Sequence, residues 1–149
     1  MLFRSPICTT FSPLVEQAKH GAEWGMPDWK VAERQKAVKD RTRFEGLVRA
    51  AAAGVPIIFG TDAGSPVVPH DAIAGELEFM VEIGVCRDNK AALISITSLS
   101  ADKNGVLDDR GTLEQGKAAD VVVFAGTPLT DLSAVEKVTG VYLDGARVA

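Results

Sequence analysis

The residue of this chain best placed to do chemistry is Asp62. It stands in Gly60-Thr61-Asp62-Ala63-Gly64, directly after the apolar run Val55-Pro56-Ile57-Ile58-Phe59. A run of that length and composition reads as a fully buried parallel strand. A carboxylate at the exit of such a strand sits in the crevice where α/β proteins collect their catalytic groups. There it can take a proton from an attacking water or ligate a metal ion. The flanking glycines allow a sharp turn and leave the approach to Asp62 open. Other candidates are sparse. The chain has two histidines, His20 and His70, and two cysteines, Cys8 and Cys86. His20 lies in a turn-rich region and reads as a surface residue. The cysteines are far apart and form no Cys-x-x-Cys pair, so they read as two buried, reduced thiols of a cytoplasmic protein. Trp24 and Trp29 either line a pocket or cover exposed apolar surface.

The chain that has to position Asp62 is 149 residues long, enough for one ordinary domain with a real core. Its 46% hydrophobic and 24% charged residues are those of a soluble globular protein. Sixteen basic and twenty acidic residues leave a net charge of −4. That balance gives no electrostatic reason to expect nucleic acid or an anionic membrane as partner. No apolar run approaches the length of a membrane span. The opening Met1-Leu-Phe-Arg-Ser-Pro-Ile7 has no continuous apolar stretch of the kind a signal peptide needs.

The pattern of elements around Asp62 is α/β and then β. Residues 6–10, Pro-Ile-Cys-Thr-Thr, read as a short strand. Residues 11–30 read as a long loop with at most one helical turn, because Gly21, Gly25 and Pro27 punctuate them. Val31 to Ala53 reads as one helix, with Phe44, Leu47, Val48 and Ala51 on one face and Gly54 as its stop. Its basic residues, Lys36, Lys39, Arg41 and Arg43, read as a solvated face rather than a phosphate site. A loop with Pro66 and Pro69 follows the Asp62 strand. A helix over about 72–83, capped by Asp71, carries Glu76, Glu78 and Glu82 mostly on its wet side. Asp88 caps another helix reaching about Thr97. After Asn104-Gly105 come a turn-rich passage, a buried-strand pattern over Val121–Ala125, a loop at Thr127–Leu132, and a hairpin at 138–149 turning on Asp144-Gly145.

Several of these segments, in order, carry a family resemblance. Gly60-Thr-Asp-Ala-Gly-Ser-Pro…Pro69-His70 with Glu76-Leu-Glu-Phe-Met-Val-Glu-Ile-Gly84 resembles the end of the catalytic barrel of the amidohydrolase superfamily, in its imidazolonepropionase-like and prolidase-like branch. Ala92-Leu-Ile-Ser-Ile-Thr97 with Ala101 resembles that family's alanine-leucine…threonine helix. Gly111-Thr-Leu-Glu-Gln-Gly-Lys-Ala-Ala-Asp-Val-Val-Val123, Pro128-Leu129 and Val141-Tyr-Leu-Asp-Gly145 resemble its carboxyl-terminal strands. The likeness covers residues 54–149 well and residues 1–53 in outline. It implies an α/β fold: a partial TIM-like (β/α) barrel, its last strand-helix units, over residues 1–104. The carboxyl-terminal β-strands of a small composite sheet would follow over residues 105–149.

The resemblance also implies a chemistry. Family enzymes hydrolyse C–N bonds of amides, cyclic amides or dipeptides with a divalent metal, zinc first. Asp62 matches the aspartate at the end of the eighth strand, which ligates metal and handles protons for the attacking water. His70 matches a histidine at the substrate mouth; as a plain residue it reads equally well as an exposed loop histidine. The family further uses a His-x-His pair, a lysine or glutamate, and two more histidines from earlier strands, and this chain has no His-x-His. A whole barrel takes roughly 200 residues or more. The expectation is therefore the last third of such an enzyme, binding little or no metal and inactive alone. The alternative is a non-catalytic domain of the same descent that self-associates through uncovered strand edges.

Overall fold

Two short parallel strands set the position of Asp62. The computed structural model describes residues 5–64 and 67–149; the chain's opening Met1–Arg4 and the loop's Pro66 lie outside them. Strand β1 (Ile7–Cys8) pairs in parallel with β2 (Ile57–Ile58), with Ile7 opposite Ile57 and Cys8 opposite Ile58. The Pro56 carbonyl accepts from the Ile7 N–H at 2.9 Å, and the Ile58 carbonyl from the Thr9 N–H at 3.1 Å. The chain leaves both strands at the same end, so Thr10 and Gly60 emerge side by side. The strand is shorter than the apolar run, and only Ile57 within it is fully buried.

The segment between the strands is more helical than its punctuation suggests. Helix α1 (Ser12–His20) replaces the expected loop. Pro13 preorganises its first turn, and Val15 and Ala18 bury one side. Only 21–27 is irregular. The expected single helix after it is broken in two. Helix α2 (Asp28–Lys39) stops where Asp40 adopts extended backbone, φ −78° and ψ 91°. Asp40 then caps a 3-10 turn, Arg41–Phe44, through Thr42 N–H to Oδ1 at 3.2 Å. That bond and the Thr42 hydroxyl hold the Asp40 carboxyl below its ordinary range. Helix α3 (Glu45–Ala52) follows and ends as expected at Gly54, whose φ of +87° suits glycine.

Helix α4 (Ile73–Glu82) is the centre of the core. Leu77 and Met80 are fully buried against Ile57, Val85, Cys86 and Ala92. Asp71 does not cap it: the Ile73 N–H bonds instead to the Asp71 backbone carbonyl, at 2.7 Å. Asp88 does cap helix α5 (Asn89–Ile96), through Ala91 N–H to Oδ1 at 2.7 Å. The Phe59 N–H donates to the Ser95 carbonyl at 3.3 Å, which ties α5 to the end of the Asp62 strand. Helix α6 (Ser98–Lys103) was not anticipated.

The remaining chain forms a second sheet of order β3-β4-β5. Strand β3 (Val121–Phe124) pairs antiparallel with β4 (Val138–Leu143), which turns through Asp144-Gly145 into β5 (Ala146–Arg147). Both turn residues have positive φ, 48° and 79°, as a two-residue hairpin requires. Strand β3 is not buried as its sequence suggests. Val122 and Val123, on opposite faces of the strand, are both exposed, and a bulge follows between Val123 and Phe124. An unanticipated 3-10 turn, Leu132–Glu136, seats Leu132 and Val135 on the α4 core. No helix among the described residues is long and apolar enough to cross a membrane.

One close approach fixes the Asp62 strand against β1. A side chain at Gly60 would begin 2.5 Å from Cys8 Sγ and 3.0 Å from the Thr9 carbonyl. We expect Gly60→Ala to lower stability by about 1–3 kcal/mol through overpacking. Adding Cys8→Ala should restore part of that loss, because it removes the tighter of the two contacts. Urea unfolding of the single and double variants checks this; strictly additive losses would refute the contact as the cause.

Candidate active site

Asp62 leaves the β2 exit in a conformation that few residues adopt. Its φ is +55°, in the left-handed region that aspartate tolerates better than most side chains. The Thr61 hydroxyl accepts from the Ala63 N–H at 3.2 Å and fixes the turn on its far side. Asp62 is exposed, and its carboxylate has no hydrogen-bond or ion-pair partner among the described residues. The loop then closes on itself: the Gly64 N–H donates to the Val68 carbonyl at 3.2 Å. This folds His70 back onto the loop, with its imidazole Cε1 and Nε2 3.8 and 3.9 Å from where a Gly64 side chain would begin. The structure thus brings His70 to the loop that carries Asp62.

Val67 is the strained member of this loop. It is buried, yet its φ is +75°, a region that β-branched residues avoid. Such strain costs on the order of 1–3 kcal/mol and persists only where surrounding contacts over-determine it. Burial of Val67 and Val68 anchors the return of the loop and so the placement of His70.

Among the described residues the donor set around Asp62 is smaller than a catalytic metal takes. Among the described residues no group of three or more His, Cys, Asp or Glu side chains could hold an ion. A catalytic zinc takes three protein ligands and keeps one position open. Asp62 and His70 do not fit that requirement alone.

Other residues fall outside the loop. His20 is exposed and sits 3.3 Å from Glu23. Trp24 and Trp29 remain 62% and 69% exposed, so neither is sequestered in a pocket. Cys8 is exposed rather than buried; Cys86 is buried, and both are free thiols. Burial pushes the Cys86 thiol up to about 11, which makes it unreactive.

The site's support includes a carboxylate that was assigned to the wet side of its helix. Glu76 is completely buried. Its Oε2 accepts from the Ser12 N–H at 2.6 Å and the Ser12 hydroxyl at 2.8 Å, while Oε1 has no partner. It therefore serves as a cap for α1 supplied from α4, satisfying a donor that Phe11 leaves unmet. The signal was present in the sequence. Ile73, Glu76, Leu77 and Met80 have the spacing i, i+3, i+4, i+7, which puts Glu76 in the apolar stripe. Desolvation raises the Glu76 carboxyl above its ordinary value, against the pull of its hydrogen bonds from Ser12.

Comparison with known proteins extends the picture. A profile described as the amidohydrolase family matches residues 15–148. No curated protein matches the chain. Among solved structures, a prolidase complexed with N-methylphosphonate-L-proline is 30% identical, with a TM-score of 0.71, over 97% of this chain and 35% of its own. A Xaa-Pro dipeptidase with methionine bound in its active site is 29% identical, with a TM-score of 0.70, over 95% and 34%. An amidohydrolase from Thermotoga maritima MSB8 is 29% identical, with a TM-score of 0.59, over 71% and 26%. The chain spans about a third of the length of the first two of these structures.

Glu76 gives a pH dependence of known sign. The native state holds the Glu76 proton more tightly than the unfolded chain does. Its contribution is therefore full below the ordinary value of 4.5 and is lost as pH rises through the raised native value. Glu76→Gln keeps an acceptor for Ser12 and removes the buried charge. Urea midpoints from pH 4 upward should fall for the parent relative to Glu76→Gln across that window; parallel curves would refute it.

Proposed function

The chain belongs to the amidohydrolase family, and from that premise we propose that it forms one wall of a site that hydrolyses a C–N bond. The observation that carries this reading is Asp62: exposed and unpartnered, in left-handed backbone, at the carboxyl end of a parallel strand pair, with His70 folded back onto the same loop. The strands β1 and β2 are taken as the seventh and eighth of a (β/α) barrel, with residues 1–104 as barrel segment and 105–149 as part of a composite sheet. The substrate class is an amide, cyclic amide or dipeptide. The two peptidase-type neighbours favour the dipeptide.

In this reading Asp62 takes the proton of the water that attacks the substrate carbonyl. It returns that proton to the nitrogen as the C–N bond breaks. The exposed, unpaired carboxylate is free to face such a water. His70 borders the opening through which substrate reaches Asp62. The divalent ion used across the family, zinc first, needs ligands beyond those these residues supply, so the isolated chain is taken to be inactive.

A second reading rests on exposed apolar surface. Val122, Val123, Val138, Leu143 and Val148 are all exposed on the small sheet, and among the described residues β1 and β2 each have a strand neighbour on one side only. Unpaired edges and exposed valines favour association between copies.

The two readings are tested together. Metal analysis and an amide-hydrolysis assay of the 149-residue chain should show neither stoichiometric metal nor turnover. Tight metal with turnover would overturn the claim that this chain is inactive alone. In any longer chain or assembly that is active, Asp62→Asn should lower kcat by about 10²–10⁴-fold with little change in KM. Light scattering at micromolar concentration should find a dimer or larger species; a sharp monomer would remove the self-association reading.

A further inference from the structure

Helix α2 has two faces, and only the inner one is used within the chain. On that side Val31 is buried, and Val38 packs against the cluster of Val15, Phe44 and Phe79. Gln35 Nε2 donates to the Ala18 carbonyl of α1 at 3.2 Å. The turn that enters α2 is held as well, because the Met26 N–H donates to the Gly21 carbonyl at 2.9 Å. The outer face is therefore presented on a fixed frame. Trp29, Glu33 and Lys36 are exposed there at i, i+4 and i+7, which makes them one ridge along the helix. Ala32, small and exposed, lies beside the ridge. A surface helix ordinarily turns its apolar groups inward. Here the outward ridge begins with a tryptophan that is 69% exposed.

The charges of this face are unspent. None of Asp28, Glu33, Lys36 and Lys39 forms an ion pair among the described residues. Glu33 and Lys36, one turn apart, do not pair with each other. Their order along the helix is polar: the carboxylates Asp28 and Glu33 come first, the ammonium groups Lys36 and Lys39 last, over about 18 Å. Lys30 is half-buried and stands off the ridge.

That order is self-complementary when the helix meets a copy of itself end for end. A parallel copy would set like charges level. An antiparallel copy, related by a two-fold axis, sets unlike charges level. The seam then reads Trp29, Lys36, Glu33, Glu33, Lys36, Trp29, with the two copies alternating. Each lysine falls between a tryptophan ring and a carboxylate of the other copy, where it gains a cation–π contact and an ion pair together. The two Glu33 carboxylates meet near the axis, each with a lysine of the other copy beside it. Asp28 and Lys39 are eleven residues apart, about three turns, so they share a flank and also meet across the seam. Ala32 leaves room for the backbones to approach. We propose that the outer face of α2 is an isologous interface between two copies of this chain. The proposal does not depend on the Asp62 chemistry, and it assigns association to a surface other than the valines and strand edges considered above. One helix pair buries less than the roughly 800 Å² per partner of a standard interface, so the dimer is weak and reversible.

Sedimentation equilibrium of the 149-residue chain from about 10 μM to 1 mM tests it. The parent chain should dimerise, less tightly as NaCl is raised. Trp29→Ala should weaken the dimer about tenfold or more. Glu33→Lys leaves the ridge all basic and Lys36→Glu leaves it all acidic. Each variant alone should be monomeric, and an equimolar mixture of the two should recover the dimer, which misfolded chains would not do. Val122→Thr combined with Val123→Thr, on the small sheet, should leave the dimer unchanged. A monomeric parent, or a mixture of the charge variants that stays monomeric, would overturn the proposal. Association that survives both charge variants and is lost in the valine pair would overturn it too, while leaving the sheet reading in place.

Discussion

The bond between Glu76 and Ser12 is the constraint on which the functional face depends. A carboxylate sealed from water is unfavourable unless it is hydrogen-bonded. Here one oxygen takes both the N–H and the hydroxyl of Ser12. That pairing pins the first turn of α1 to the middle of α4, the helix at the centre of the core. With α1 fixed, Phe11 is held in the aromatic trio with Phe44 and Phe79, and Thr9 and Thr10 are held at the exit of β1. The second oxygen has no partner. The clamp is consequently under electrostatic tension, which favours the protonated form.

A second layer of constraint acts across the strand pair. Gly60 leaves room for Cys8 and the Thr9 carbonyl, so β1 and β2 stay in register up to their exits. Beyond that point the chain enters a loop with two non-glycine residues at positive φ, Asp62 and Val67. Aspartate accepts that backbone easily; valine does not, and its burial is what holds it there. The result is an aspartate presented to solvent on a loop whose return path is fixed. A flexible loop of the same composition would leave Asp62 and His70 unrelated in space.

The carboxyl-terminal sheet is attached to this frame by packing rather than by strand pairing. Leu132 and Val135, on a 3-10 turn begun by Asp131, enter the same core as Leu77 and Met80. The sheet keeps its own hydrogen bonds and leaves much of its apolar surface uncovered.

What the sequence determined by itself was the local and the patterned. The Asp62 loop at a strand exit, the Gly54 stop, the Asp88 cap and the Asp144-Gly145 hairpin were all legible, because each rests on a few neighbouring residues with strict backbone or hydrogen-bond preferences. The ordered motifs also gave the family. What the sequence left open was decided by contacts between distant segments. α1 forms despite its turn-rich surroundings because Glu76 caps it from 64 positions away. Cys8 is exposed on a strand that, among the described residues, pairs with β2 alone. The helix over 31–53 breaks at Asp40, where a side chain competes successfully for the Thr42 N–H. Val122 and Val123, consecutive in regularly paired β3, are both exposed because neither face of the small sheet is covered there, where the apolar run reads as a buried strand. Local preference names the candidate carboxylate. Only tertiary structure folds His70 back onto its loop and seals Glu76 in the core, because those depend on groups far apart in the chain meeting away from water.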